Sequence, residues 1–97
     1  MTDDAAGAPT PTWKIELAPA AARQLGKLDK SVRRRIVTAI DGLARTQRPA
    51  GVRALTGHPG LLRIRVGDYR VVYTVRDEHL VALVVAIAHR REVYRDL

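Results

Sequence analysis

Residues 61–75, LLRIRVGDYRVVYTV, constrain the fold more than any other stretch of the chain. The dipeptide Gly67-Asp68 interrupts two runs of aliphatic, β-branched and aromatic residues, and a two-residue connection that begins with glycine is what a tight type II′ turn requires. With that turn in place Val66 lies opposite Tyr69, and the pairing runs back through Arg65 with Arg70 and Arg63 with Val72. Side chains alternate across a strand, so one face of the hairpin receives Leu62, Ile64, Val66, Tyr69, Val71, Tyr73 and Val75, an apolar set that must be covered. The other face receives Arg63, Arg65 and Arg70.

The elements that cover the apolar face precede the hairpin. Trp13, Ile15 and Leu17 alternate with Lys14 and Glu16, the period of a half-buried strand, and Pro19 ends that strand and suits the first turn of a helix over 20–28. Asp29 is placed to cap a second helix, in which Val32, Ile36, Ala39, Ile40 and Leu43 form one apolar stripe. Arg33, Arg34, Thr38, Asp41 and Arg45 occupy its outer side, the last two spaced as a surface ion pair. Glycines and prolines mark 48–60 as a connecting loop. A third strand over 80–89 follows Asp77-Glu78-His79, and a three-residue loop there turns the bulky series Val81, Leu83, Val85 and Ile87 toward the helices. The small series Ala82, Val84, Ala86 and Ala88 then lies beneath the arginines and delivers Arg90 to their end of the sheet. The expected fold class is α+β: an N-terminal strand, a two-helix hairpin, then a three-stranded antiparallel meander, forming one twisted sheet with the helices packed on one face. Residues 1–12 read as a disordered leader and 13–97 as a single domain.

Charge narrows the partners. The 97 residues carry 17 Lys and Arg against 10 Asp and Glu, a formal +7, and arginine far outnumbers lysine. Guanidinium matches phosphate geometry and stacks on bases, so nucleic acid is the expected partner, although a GC-rich coding sequence also favours arginine. Like charges directly opposed across an antiparallel pair destabilise a sheet. Arg65 opposite Arg70 therefore costs folding energy unless an anion normally sits there, or unless both side chains splay into water near Asp68 or Glu16. Cysteine is absent and His58, His79 and His89 lack metal-ligand spacing, so no metal or other cofactor is expected. No apolar run is long enough to cross a bilayer and the polar, acidic start does not resemble a secretory signal, which together predict a cytoplasmic protein.

The stretch LLRIRVGDYRVVYTV, followed one strand later by AHRREVYR, resembles the signature of RelE toxins within the RelE/ParE superfamily, and the order of elements is similar over nearly all of 13–97. The resemblance implies a toxin of a type II toxin–antitoxin system, a metal-independent endoribonuclease that cuts messenger RNA on the ribosome and is silenced by a cognate antitoxin. Carried over by position, Arg63, Arg65, Arg70, Arg90 and Tyr94 are the catalytic candidates, with Arg53, His89 and Arg91 as RNA-binding candidates. Arg65 and Arg70 would bind the developing phosphorane dianion, Arg90 would neutralise or protonate the leaving oxygen, and Tyr94 would stack on a base or orient the nucleophile; Tyr94 reads equally as an aromatic that pins the C-terminal tail. Where the best-known members carry lysine on the first hairpin strand, this chain has Arg63 and Arg65. Arginine is effectively never deprotonated, so Arg63 is a poor base, and His89 is the alternative, with a plain strand-end role as its other reading. Two other activities share the fold: a ParE-like toxin that inhibits DNA gyrase without cutting RNA, and an inactive member that only binds its antitoxin.

Overall fold

The computed structural model describes residues 13–91. The alternating N-terminal segment forms β1 (Lys14–Leu17), Pro19 opens α1 (Pro19–Gly26), and α2 (Lys30–Gly42) follows after a short turn. Strands β2 (Arg53–Ala54), β3 (Leu62–Val66), β4 (Tyr69–Arg76) and β5 (Val81–His89) complete a five-stranded sheet in the order β1-β5-β4-β3-β2. β1 runs parallel to β5 and every other neighbouring pair is antiparallel. The α+β class with helices on one face is as expected. The segment read as a loop over 48–60 departs from expectation, because it contains β2, which pairs with the start of β3.

The core forms where the stripe of α2 meets the apolar face of the hairpin. Ile36, Ile40 and Leu43, with Ala21 from α1, pack against Ile64, Val71, Tyr73, Ala82, Val84 and Ile87. Ile15 and Leu17 join from β1, and Leu62, Val66, Tyr69 and Val75 fill the margins, so the hairpin face assigned to the core is the one the helices cover. Asp29 occupies the N-cap position of α2, yet its carboxylate accepts no hydrogen bond; only its carbonyl does, from Arg33 N at 2.8 Å. Burial of the apolar stripe, more than a side-chain cap, sets where α2 begins. The expected Asp41–Arg45 pair is also absent, because α2 ends at Gly42 and Arg45 lies in the following turn.

The third strand corrects the sequence reading at one point. The connection after β4 has four residues, a 3₁₀ turn over Asp77–His79 followed by Leu80 at φ 53°, so that Arg76 faces Val81. An even count reverses the predicted facing: Ala82 and Val84 lie opposite Val75 and Tyr73 on the helix side, both fully buried, while Leu83 pairs with Thr74 on the other face. A β-bulge between the partners of Val72 and Tyr73 then leaves Val85 unpaired and restores the alternation. Beyond it Ile87 faces the helices, and Ala86 and Ala88 lie on the arginine side opposite Val72 and Arg70, as predicted. Where β1 no longer pairs with β5, α1 seals the exposed edge: Gln24 Oε1 accepts from Ile87 N at 2.7 Å, and Val84 O accepts from Ala18 N at 2.8 Å.

Tyr73 ties the sheet to the chain that follows α2, its hydroxyl donating to Gln47 O at 2.7 Å. Burial pushes its phenol above the ordinary value of 10.0, an effect that the Arg48 guanidinium partly offsets. A raised folded-state pKa stabilises the protein fully below the unfolded value and is lost as pH rises through the folded value. Denaturant-measured stability is therefore expected to fall from about pH 10 upward. Tyr73→Phe should lose about 1 kcal/mol at neutral pH and show a shallower alkaline decline; parallel pH curves for the two proteins would show that Tyr73 is not the titrating group.

Candidate active site on the arginine face

The register places Arg65 directly opposite Arg70 and Arg63 opposite Val72, so the three arginines share the sheet face turned away from the helices. Gly67 adopts φ 61° while Asp68 keeps a negative φ, the combination of a type II′ turn, and this turn holds the register. β2 adds a fourth guanidinium, because Arg53 lies opposite Arg63. Two cross-strand arginine pairs therefore stand side by side. The sequence signal for the second was present, in that Arg53-Ala54-Leu55 and Leu61-Leu62-Arg63 flank a glycine- and proline-rich turn, but the strand is too short to stand out by periodicity.

The floor of this face is graded. Ala88 lies under Arg70 and is 5% exposed. Further along, Val72 and Ala86 are covered by Leu55, with Leu61 and Val85 packed against them, in a second small apolar cluster that the sequence did not announce. The open part of the face is thus the end near the hairpin turn, where Arg65 stands opposite Arg70 and the Arg70 guanidinium reaches the backbone of Arg90.

Charge compensation there is sparse. Among the described residues, Arg53, Arg63, Arg65 and Arg70 make no ion pair; the carboxylates that do pair with arginine are Asp77, 3.3 Å from Arg48, and Asp68, 3.7 Å from Arg90. Arg70 is half-buried and donates from Nη1 to Arg90 O at 3.4 Å, whereas its Nε is buried with no hydrogen-bond partner. A buried donor without a partner costs roughly 1–3 kcal/mol, more for a charged group, and the Nε and Nη2 edge of a guanidinium is the edge that grips phosphate or carboxylate in a bidentate fork. Among the described residues Arg70 thus has no anionic partner, and its Nε is enclosed.

The C-terminal end of β5 supplies the remaining candidates. Arg90 reaches the same end of the sheet, its backbone N–H donating to Asp68 O at 2.7 Å and its Nε facing Asp68 Oδ1. This ion pair is half-exposed and correspondingly weak, so an incoming anion can replace it. His89 falls elsewhere. Its register partner is Tyr69, on the helix side, and the two rings meet edge to face with centroids 5.3 Å apart. Its Nδ1 accepts from Arg91 N at 3.2 Å, and its register position sets it on the sheet face opposite to that of Arg65 and Arg70. Arg91 is exposed just past the strand, and Tyr94 lies outside the described residues. Among the described residues no three His, Asp or Glu side chains converge to hold a cation, and no helix is long and apolar enough to cross a membrane.

Residues 15–94 match the family model of the ParE toxin of type II toxin–antitoxin systems, parDE. The chain belongs to this toxin family. Its fold is that of RelE toxins. The toxin superposes on the archaeal RelE–RelB complex from Pyrococcus horikoshii with TM-score 0.72 and 28% identity, over 84% of this chain and 99% of that one. It superposes on the toxin–antitoxin complex RelBE2 from Mycobacterium tuberculosis with TM-score 0.74 and 24% identity, over 87% and 98% of the two chains. For the isolated E. coli RelE toxin the values are 0.71 and 23%, over 84% and 88%. The last two likenesses bear on the fold alone. No curated protein matches the toxin at a significant level. As a member of a type II system the toxin has an antitoxin as its partner, consistent with the RelE–RelB complexes among its structural neighbours.

Proposed function

We propose that this toxin is a metal-independent endoribonuclease that enters the ribosome in the cytoplasm and cleaves messenger RNA there. The observation that carries the reading is Arg70, half-buried and set directly opposite Arg65 on the sheet face turned from the helices, with neither guanidinium in an ion pair among the described residues. A ribose 2′-hydroxyl attacks the adjacent phosphorus, the bond from phosphorus to the 5′ oxygen breaks, and the products are a 2′,3′-cyclic phosphate and a free 5′-hydroxyl. The 2′ proton passes to a base and the leaving oxygen takes up another. Arg65 and Arg70 stabilise the dianionic phosphorane, the contribution that ordinarily dominates such reactions. Arg90 stands beside them and serves the leaving oxygen once Asp68 releases it. Arg53 and Arg63 hold flanking phosphates, with Arg91 on the approach and Tyr94 assigned to stacking on a base. Neither Arg63 nor His89 meets the requirements of a base as they stand, the first because it does not deprotonate and the second because it faces the helices. Ribosomal RNA or solvent then takes the proton.

The family model that matches is named for ParE, and this favours a second reading, a toxin that inhibits DNA gyrase without cutting RNA. Primer extension on messages under translation separates the two. Discrete cuts inside codons, absent when the antitoxin is supplied, are expected. Intact messages with blocked supercoiling establish the gyrase reading, and intact messages with normal supercoiling leave an antitoxin-binding protein without catalytic activity.

A further inference from the structure

Arg35 projects from α2 and lies across the tip of the β3–β4 hairpin. A Cβ added at Gly67 would sit 3.0 Å from its Nη2, 3.4 Å from Nη1 and 3.5 Å from Cζ, so the guanidinium lies against the turn. Together with Val32, Val66, Asp68 and Tyr69 it lines a notch of about 80 Å³. Its surroundings differ from those of its helix neighbours, since Arg33 is directed at Gly26 O at 3.4 Å. Arg35 is exposed and, among the described residues, makes no ion pair; Asp68, the one carboxylate of the notch, is engaged by Arg90. The hairpin tip thus carries on the helix side a guanidinium that makes no ion pair among the described residues and the Arg65–Arg70 pair on the other, with the turn between them.

We propose that Arg35 binds a backbone phosphate flanking the cleaved one, so that the RNA track leaves the arginine face over the hairpin tip and continues onto α2; this rests on the ribonuclease reading above. Gly67 serves that arrangement through its positive φ, which makes the turn that the Arg35 guanidinium lies against.

The test measures binding of the full toxin to ribosomes programmed with a message whose A-site codon is 2′-O-methylated, which removes the nucleophile and leaves every phosphate in place. Each phosphate contact on a single strand contributes about 0.7 to the slope of log affinity against log salt. Between about 50 and 200 mM KCl, Arg35→Ala is expected to lower that slope by about 0.7 and to weaken binding several-fold, while Arg35→Lys keeps the slope. A wild-type slope retained in Arg35→Ala overturns the assignment of Arg35 and leaves the ribonuclease reading standing. Wild-type toxin that shows no salt-dependent binding to the programmed ribosome overturns that reading, and the phosphate track with it.

Discussion

Arg70→Ala is expected to reduce codon cleavage by roughly 100- to 1,000-fold, the range for removing one preorganised donor aimed at developing charge. The melting temperature should stay close to that of the parent, because among the described residues the polar contact of the side chain is one long hydrogen bond to Arg90 O, and its Nε is buried without a partner. Removing a buried, unpaired donor and one member of an opposed arginine pair relieves two unfavourable terms in the free protein, and that relief offsets the lost contacts with Ala88. Arg70→Lys separates charge from geometry, since lysine keeps the cation and loses the fork. Partial activity in Arg70→Lys would mean that charge is what matters, and loss equal to that of Arg70→Ala would mean that bidentate contact is. Single-turnover cleavage of a programmed ribosome is the measurement, with thermal unfolding of the same preparations as the control. Arg70→Ala with unchanged cleavage would remove the sheet face from the mechanism. The pattern expected for an active-site residue is the pairing of a large loss of rate with an undiminished or raised stability, which a framework residue does not produce.

Ile36→Ala is expected to have the opposite signature. Ile36 is fully buried in the middle of the α2 stripe, within the cluster that includes Val71, Tyr73 and Val84. Truncating such a residue costs roughly 2–5 kcal/mol through lost transfer energy and the cavity left behind. A domain of this size is stable by only about 5–15 kcal/mol, and each kcal/mol shifts its melting temperature by roughly 4–8 °C. The variant should therefore lose a large part of its stability in urea titration, and its toxicity at growth temperature should fall with the folded fraction. Reading stability in the Arg70→Ala background keeps toxicity from limiting expression. A cost below about 1 kcal/mol would mean that the stripe of α2 is not what anchors the helices to the sheet.

The two variants act on opposite faces of one sheet, and the sequence distinguished those faces over the β3–β4 hairpin. A type II′ turn at Gly67-Asp68 and strict alternation leave a single register, so the opposition of Arg65 to Arg70 and the burial of Ile64, Val71 and Tyr73 follow from local chemistry. The same holds for the stripe of α2, whose period of about 3.6 residues is a property of the helix alone.

Where the reading departed from the structure, the deciding contacts lie far apart in the chain. Ala82 and Val84 face the helices because a four-residue connection and the bulge at Val85 fit β5 to β4 and β1 together, and alternation within β5 carries no trace of either. Arg53 joins Arg63 through a two-residue strand that exists only because β3 is already in place. His89 neighbours Arg90 in the chain, and its pairing with Tyr69 puts it on the other side of the sheet. Arg35 reaches the hairpin tip across more than thirty residues of sequence, and nothing within α2 marks it apart from Arg33 and Arg34. Periodicity and turn chemistry are local and survive in the sequence as pattern, so they determined the class of fold and the arginine pair at its centre. Register between distant strands and the reach of a helix side chain to a distant turn depend on how the elements pack, and only the tertiary structure decided them.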